Sequence, residues 1–96
     1  MTCLDKVKAE RDRILAVAAR HGASDLRIFG SAAAGLDDSD SDIDFLVRME
    51  PERDLFDLVA LKRELDALLQ RATDLVTDEE LSPYLRQRIL DEAIAL

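Results

Sequence analysis

"RIFGSAAAGLDDSDSDIDFLV", residues 27–47, decides how this chain is read. An apolar run ends at Gly30-Ser31, small and acidic residues follow, and a second apolar run opens with two aspartates in it. Alternate residues of a strand face the same side, so Asp42 and Asp44 project together with Cα atoms about 6.5 Å apart, while Ile43 and Phe45 face the other way. Charges at that spacing repel by roughly 2–3 kcal/mol at an effective dielectric near 20. A shared cation removes the conflict. Oxygen ligands with no His or Cys beside them suit Mg²⁺, or Mn²⁺, better than zinc.

The acidic loop "DDSDSDID" does not fit a calcium-binding loop. Counted from Asp38, the pattern needs Gly at 43 and Glu at 49, where Ile43 and Met49 stand; counted from Asp40, Phe45 and Pro51 occupy those places. Asp37, Asp38 and Asp40 are therefore read as solvated loop residues. Gly30-Ser31, at a strand end that opens a short helix, can turn backbone N–H groups toward an anion. Phosphate beside a carboxylate-held metal pair is the chemistry of phosphoryl transfer. A third carboxylate is then wanted at the nucleophile, and Asp74, in a later strand, is the candidate. The plainer readings are an exposed edge strand for Asp42 and Asp44, a strand start for Asp74, and a capped turn for Gly30 and Ser31.

Around this centre, residues 4–20 read as one helix with Leu4, Val7, Ile14, Leu15 and Ala18 near one face, stopped by His21-Gly22. His21 reads as a helix-end histidine rather than a catalytic one. "DLRIFG" is a short strand, "SAAAG" a turn or two of helix, "LDDSDS" a loop and "DIDFLVRM" a strand covered on both faces. Residues 54–70 form a long helix whose apolar face, Leu55, Leu58, Val59, Leu65, Leu68 and Leu69, is expected in the core. "TDLVT" is a third strand. Thr77 with Glu80 fits a capping box, and Ser82-Pro83 opens a last helix, "PYLRQRILDEAIAL". Tyr84, the sole tyrosine, is expected to pack at that helix start. The order α-β-α-β-α-β-α predicts an α/β (α+β) fold, one domain over 1–96, with helices on a short mixed three-stranded sheet.

Asp and Glu outnumber Lys and Arg by 21 to 13, for a net charge of -8, and no basic stripe forms. That balance argues against nucleic acid as a main partner, because backbone binding needs several clustered cations. A lone cysteine, Cys3, permits no intramolecular disulfide and reads as an incidental thiol near the terminus; with no membrane-spanning run, the expectation is a cytoplasmic protein. A chain of this size buries only about two thirds of its unfolded surface, which favours support from a partner or from homo-oligomerisation.

The stretch "FGSAAAGLDDSDSDIDFLV" resembles the signature of the DNA polymerase β-type nucleotidyltransferases, and the small size points to the minimal nucleotidyltransferase (MNT) branch. "TDLVTDEELSPYLRQRILDEAIAL" is similar to the closing strand and helix of MntA-like antitoxins, which pair with HEPN-domain toxins, so the likeness covers residues 26–96. The resemblance implies that Gly30 and Ser31 hold the triphosphate of ATP, that Asp42 and Asp44 bind two Mg²⁺, and that Asp74 is the third carboxylate. It implies transfer of AMP to a tyrosine hydroxyl of the toxin. One departure matters: many relatives have arginines after Gly-Ser, whereas this chain has Ala32, Ala33 and Ala34. A guanidinium paired with phosphate contributes about 1.5–3 kcal/mol. Its loss favours an alternative, a weakly active or inactive module that neutralises the toxin by binding, unless Arg27, Arg48 or a partner's arginine compensates. Transfer to RNA or a small molecule is a third reading, disfavoured by the acidic surface.

Overall fold

The period-two pattern of "IDFLVRM" builds the strand around which the rest assembles. The computed structural model describes residues 3–35 and 42–96; the expected loop with Asp37, Asp38 and Asp40 lies outside the described residues. Helices α1 (Cys3–Ala9) and α2 (Arg11–Arg20) lead into β1 (Ala23–Phe29), then α3 (Gly30–Ala34), β2 (Ile43–Met49), α4 (Leu55–Leu69) and β3 (Thr73–Thr77). A 3-10 turn (Asp78–Glu80), α5 (Pro83–Glu92) and β4 (Ile94–Ala95) complete the chain. The sheet order is β3-β2-β1-β4, with β2 parallel to β3 and antiparallel to β1, and β4 antiparallel to β1. A parallel pair needs a crossover, and α4 supplies it.

Ile43, Phe45 and Val47 are buried to within 1% on one face of β2 and join Ile28, Leu61 and Leu65 in the core. Leu46, on the opposite face, is also covered, beside Arg86 and Leu90 of α5. The expectation of a strand covered on both faces therefore holds. Asp54 caps α4: its carboxylate accepts from the Asp57 N–H at 3.2 Å, and its own N–H donates to Asp57 Oδ2 at 3.1 Å.

Several expectations need correction. The single helix over 4–20 is interrupted at Glu10, with neither Gly nor Pro to announce it; both Val7 and Ile14 are fully buried on either side of the break. Cys3, expected as an incidental thiol near the terminus, is a core residue, 6% exposed. The sheet has four strands rather than three, because Ile94–Ala95 leaves the last helix to cover the outer edge of β1, with the Leu96 N–H donating to the Leu26 carbonyl at 3.0 Å. Strand β1 starts earlier than "DLRIFG", absorbing a bulge at Asp25, whose φ is 52°. On α4, Leu55 is 70% exposed and Val59 40%, and the core position belongs to Leu61. Tyr84 is 72% exposed and does not pack at the helix start. Thr77 makes no backbone cap; its hydroxyl donates to Glu80 Oε1 instead. Ser82 caps α5 as expected, accepting from the Leu85 N–H.

The contrast along α4 gives a stability test. Leu65→Ala should cost about 2–5 kcal/mol as a buried truncation, and Leu55→Ala under about 0.5 kcal/mol as an exposed one. Urea midpoints read the difference, and equal losses would contradict this placement of the core.

Candidate functional site

The parallel register of β2 and β3 sets Asp44 directly opposite Asp74. Neighbouring strands lie about 4.8 Å apart, so two carboxylates in this position feel each other strongly. Asp42 immediately precedes β2, two residues from Asp44. Asp44 is half-buried, while Asp42 and Asp74 are exposed. Burial, then the charge of Asp74, then that of Asp42 push the Asp44 carboxyl above its ordinary pKa. The three aspartates singled out in the sequence therefore share one electrostatic environment.

Gly30 closes the other side of this edge. Its predecessor Phe29 is the β1 residue opposite Asp44, and Gly30 itself turns the chain into α3 with φ of 73°. A Cβ at Gly30 would collide with Asp44 Oδ2 and lie 3.3 Å from Asp44 Cγ. The positive φ strains any side chain here, and a Cβ would also displace the Asp44 carboxylate. Ser31 follows, half-buried in the first turn of α3.

The donor set is three hard carboxylates with no soft ligand, which suits Mg²⁺ or Mn²⁺ in chemistry. Among the described residues no group of three or more His, Cys, Asp or Glu side chains is arranged as a finished metal cage. The aspartates form an open, self-repelling edge rather than a closed ligand set.

The arginines that could replace the missing cation after Ser31 are directed elsewhere. Arg48 pairs with Asp25 at 3.6 Å and Asp78 at 3.4 Å, toward the far end of β2. Arg27 lines a cavity of about 60 Å³ with Arg48, Asp78 and Arg86, and Arg86 also pairs with Asp78. A larger cavity of about 640 Å³ also lies at the far end, between Met49 and Thr77, away from the aspartates. His21 caps α2 at that same end, where the Gly22 carbonyl accepts from the Glu50 N–H; its Nε2 is 3.3 Å from Glu64 Oε1.

Sequence reasoning missed Asp66. Its Oδ1 accepts from the Thr73 N–H at 2.7 Å and from the Thr73 hydroxyl at 2.6 Å, and its Oδ2 from Lys62 Nζ at 2.8 Å. Burial raises this carboxyl, but the hydrogen bonds from Lys62 and Thr73 outweigh it and leave the pKa below the usual value. A signal was present: an acidic residue in the last turn of a helix has the wrong sign for the helix dipole.

Comparison with known proteins gives the family. The nucleotidyltransferase domain family matches residues 12–96. A protein of Methanocaldococcus jannaschii, provisionally named a protein adenylyltransferase, is 39% identical over 82 residues, covering 85% of this chain and 88% of its own length. A solved structure provisionally named a minimal nucleotidyltransferase is 44% identical, with a TM-score of 0.90 over 100% of this chain and 97% of that one. The fold recurs in a toxin–antitoxin structure with AMP-PNP, at 23% identity and TM-score 0.74 over 88% of this chain and 69% of that one. It recurs again in a complex of a tri-AMPylated Shewanella oneidensis HEPN toxin with an MNT antitoxin, at 20% identity and TM-score 0.68 over 92% and 69% of the two chains. The match over residues 12–96 and the identity to the archaeal relative place this chain in the nucleotidyltransferase domain family, as a nucleotidyltransferase of the minimal type.

Proposed function

We propose that the protein transfers AMP from ATP to a tyrosine hydroxyl of a HEPN toxin, using Asp42, Asp44 and Asp74 as its acidic edge. The observation that carries this reading is the register that sets Asp44 beside Asp74, next to a glycine in a left-handed conformation whose missing side chain leaves the Asp44 carboxylate its place. The HEPN partner and the AMP product are borrowed from what the distant complexes contain. Asp42 and Asp44 would hold two Mg²⁺, with Asp74 as the third ligand. When bound, the ions neutralise charge developing on the phosphates.

The residues supply the rest. Backbone N–H groups at Gly30 and Ser31 face the triphosphate. Asp74 stands on the outer strand, exposed to an incoming hydroxyl, and takes its proton as the acceptor oxygen bonds to the α-phosphorus. The bond from that phosphorus to the bridging oxygen breaks, and pyrophosphate leaves. The chain offers no cation from Ser31 to Ala34, and Arg48 is held at the far end of β2. That observation favours a second reading, an MNT-fold module that neutralises its toxin by binding alone.

Labelled ATP, Mg²⁺ and the cognate toxin separate the two. Wild type should label the toxin, and Asp42→Asn or Asp44→Asn should reduce labelling about a hundredfold or more, the usual scale for losing a transition-state electrostatic partner. Full neutralisation by both variants with no label transferred supports the binding module instead.

Stability gives an independent check. The native Asp44 carboxyl titrates above its unfolded value, so its charge opposes folding at neutral pH and ceases to do so once pH falls below the unfolded carboxyl range. Without divalent ions, Asp44→Asn should therefore raise the melting temperature at pH 7, with the gain vanishing in acid. Mg²⁺ should raise the melting temperature of wild type more than that of the variant. No gain at pH 7 would contradict the repulsion.

A further inference from the structure

Asp66 is placed where its charge opposes the dipole of α4, and the contacts it makes explain why the fold keeps it there. Its main-chain carbonyl accepts from the N–H groups of Gln70 and of Arg71, the latter at 3.2 Å, while Gln70 takes a left-handed φ of 54°. Its carboxylate meanwhile accepts both donors of Thr73. One residue therefore closes the whole turn from α4 to β3. Thr73 is 2% exposed, facing inward, and the next residue, Asp74, faces out.

The same turn reaches the other strand. The Ala72 carbonyl accepts from the Ile43 N–H at 3.0 Å, and Ile43 is the residue between Asp42 and Asp44. Thr73 pairs with Ile43 and Asp74 with Asp44 in the register that follows. A shift of this turn would move all three aspartates relative to one another. Lys62 holds the second oxygen of Asp66 and keeps the carboxylate aimed at Thr73.

We propose that Asp66 is a positioning residue for the acidic edge: through Thr73 it sets Asp74 opposite Asp44, and through the adjoining turn it fixes the backbone between Asp42 and Asp44. The proposal rests on the reading that these aspartates bind a divalent cation, and it adds a residue that touches neither ion nor nucleotide. Residues that orient ligands from behind typically change metal affinity by 10–100-fold when removed.

The test uses the full chain without nucleotide, at a temperature where every variant is folded by circular dichroism. Mn²⁺ affinity is read from the free-ion electron paramagnetic resonance signal, and hydrogen exchange is read at the Ile43 and Asp74 amides. Asp66→Ala should weaken Mn²⁺ binding tenfold or more and speed exchange at both amides. Asp66→Asn keeps an oxygen acceptor for Thr73 and should stay within about threefold of wild type. Thr73→Val removes only the hydroxyl and should fall between them.

A strap that merely stabilises the fold would lower the melting temperature and leave Mn²⁺ affinity unchanged. Wild-type affinity and exchange in folded Asp66→Ala would overturn the proposal. If that variant does not fold, wild-type affinity in Thr73→Val overturns it instead. Equal Mn²⁺ binding by wild type and Asp44→Asn would remove the metal reading itself, and amide exchange then decides separately whether Asp66 fixes the strands.

Discussion

Two aspartates set side by side on one face of adjacent parallel strands are the constraint to which the rest of this fold answers. Left alone, Asp44 and Asp74 repel, and the charge of Asp74 adds to burial in pushing the Asp44 carboxyl above its ordinary pKa. A strand pair would relieve that by slipping or splaying. It does neither, because the residues flanking Asp44 in β2 are committed to the opposite face: Ile43, Phe45 and Val47 are fully buried, and a one-residue slip would take all three out of the core and drive Asp44 into it. Hydrophobic burial holds the charges in opposition.

The edge is further confined on its two flanks. On the β1 side, Gly30 carries no side chain to displace the Asp44 carboxylate. On the β3 side, the turn organised by Asp66 brings Thr73 inward and Asp74 outward. The site is thus an outcome of backbone placement more than of side-chain contacts among the aspartates themselves. Such placement is what a two-ion phosphoryl-transfer centre requires of its protein. The far end of the same strands carries a different chemistry, where Arg48, Arg86 and Asp78 are satisfied by one another.

The aspartates, the glycine and three of the four strands were legible in the sequence because each depends on local period. Alternation over Ile43–Met49 fixes which side Asp42 and Asp44 share, and the Ser82-Pro83 pair marks a helix start whatever surrounds it. What escaped depends on distant partners. Ile94–Ala95 is too short to show any period, and it is a strand only because the edge of β1 lies beside it. The interruption at Glu10 carries no Gly or Pro to announce it, and Val7 and Ile14 are buried on either side. Leu55, Val59 and Tyr84 are exposed although apolar in character, since helical period predicts a face but not how much of it the sheet covers. Asp66 could have been noticed by its sign against the helix dipole, but its bond to Thr73 spans seven residues and a turn that no pattern specifies.

The convergence of positions 42, 44 and 74 is tested most directly by a crystal structure of the protein with Mn²⁺ and a non-hydrolysable ATP analogue, with anomalous scattering used to locate the ions. The account predicts metal peaks within coordination distance of the Asp42 and Asp44 carboxylates, with Asp74 turned toward one of them and the phosphates lying over Gly30 and Ser31. Ions bound elsewhere on the molecule, with the three carboxylates directed apart, would contradict it.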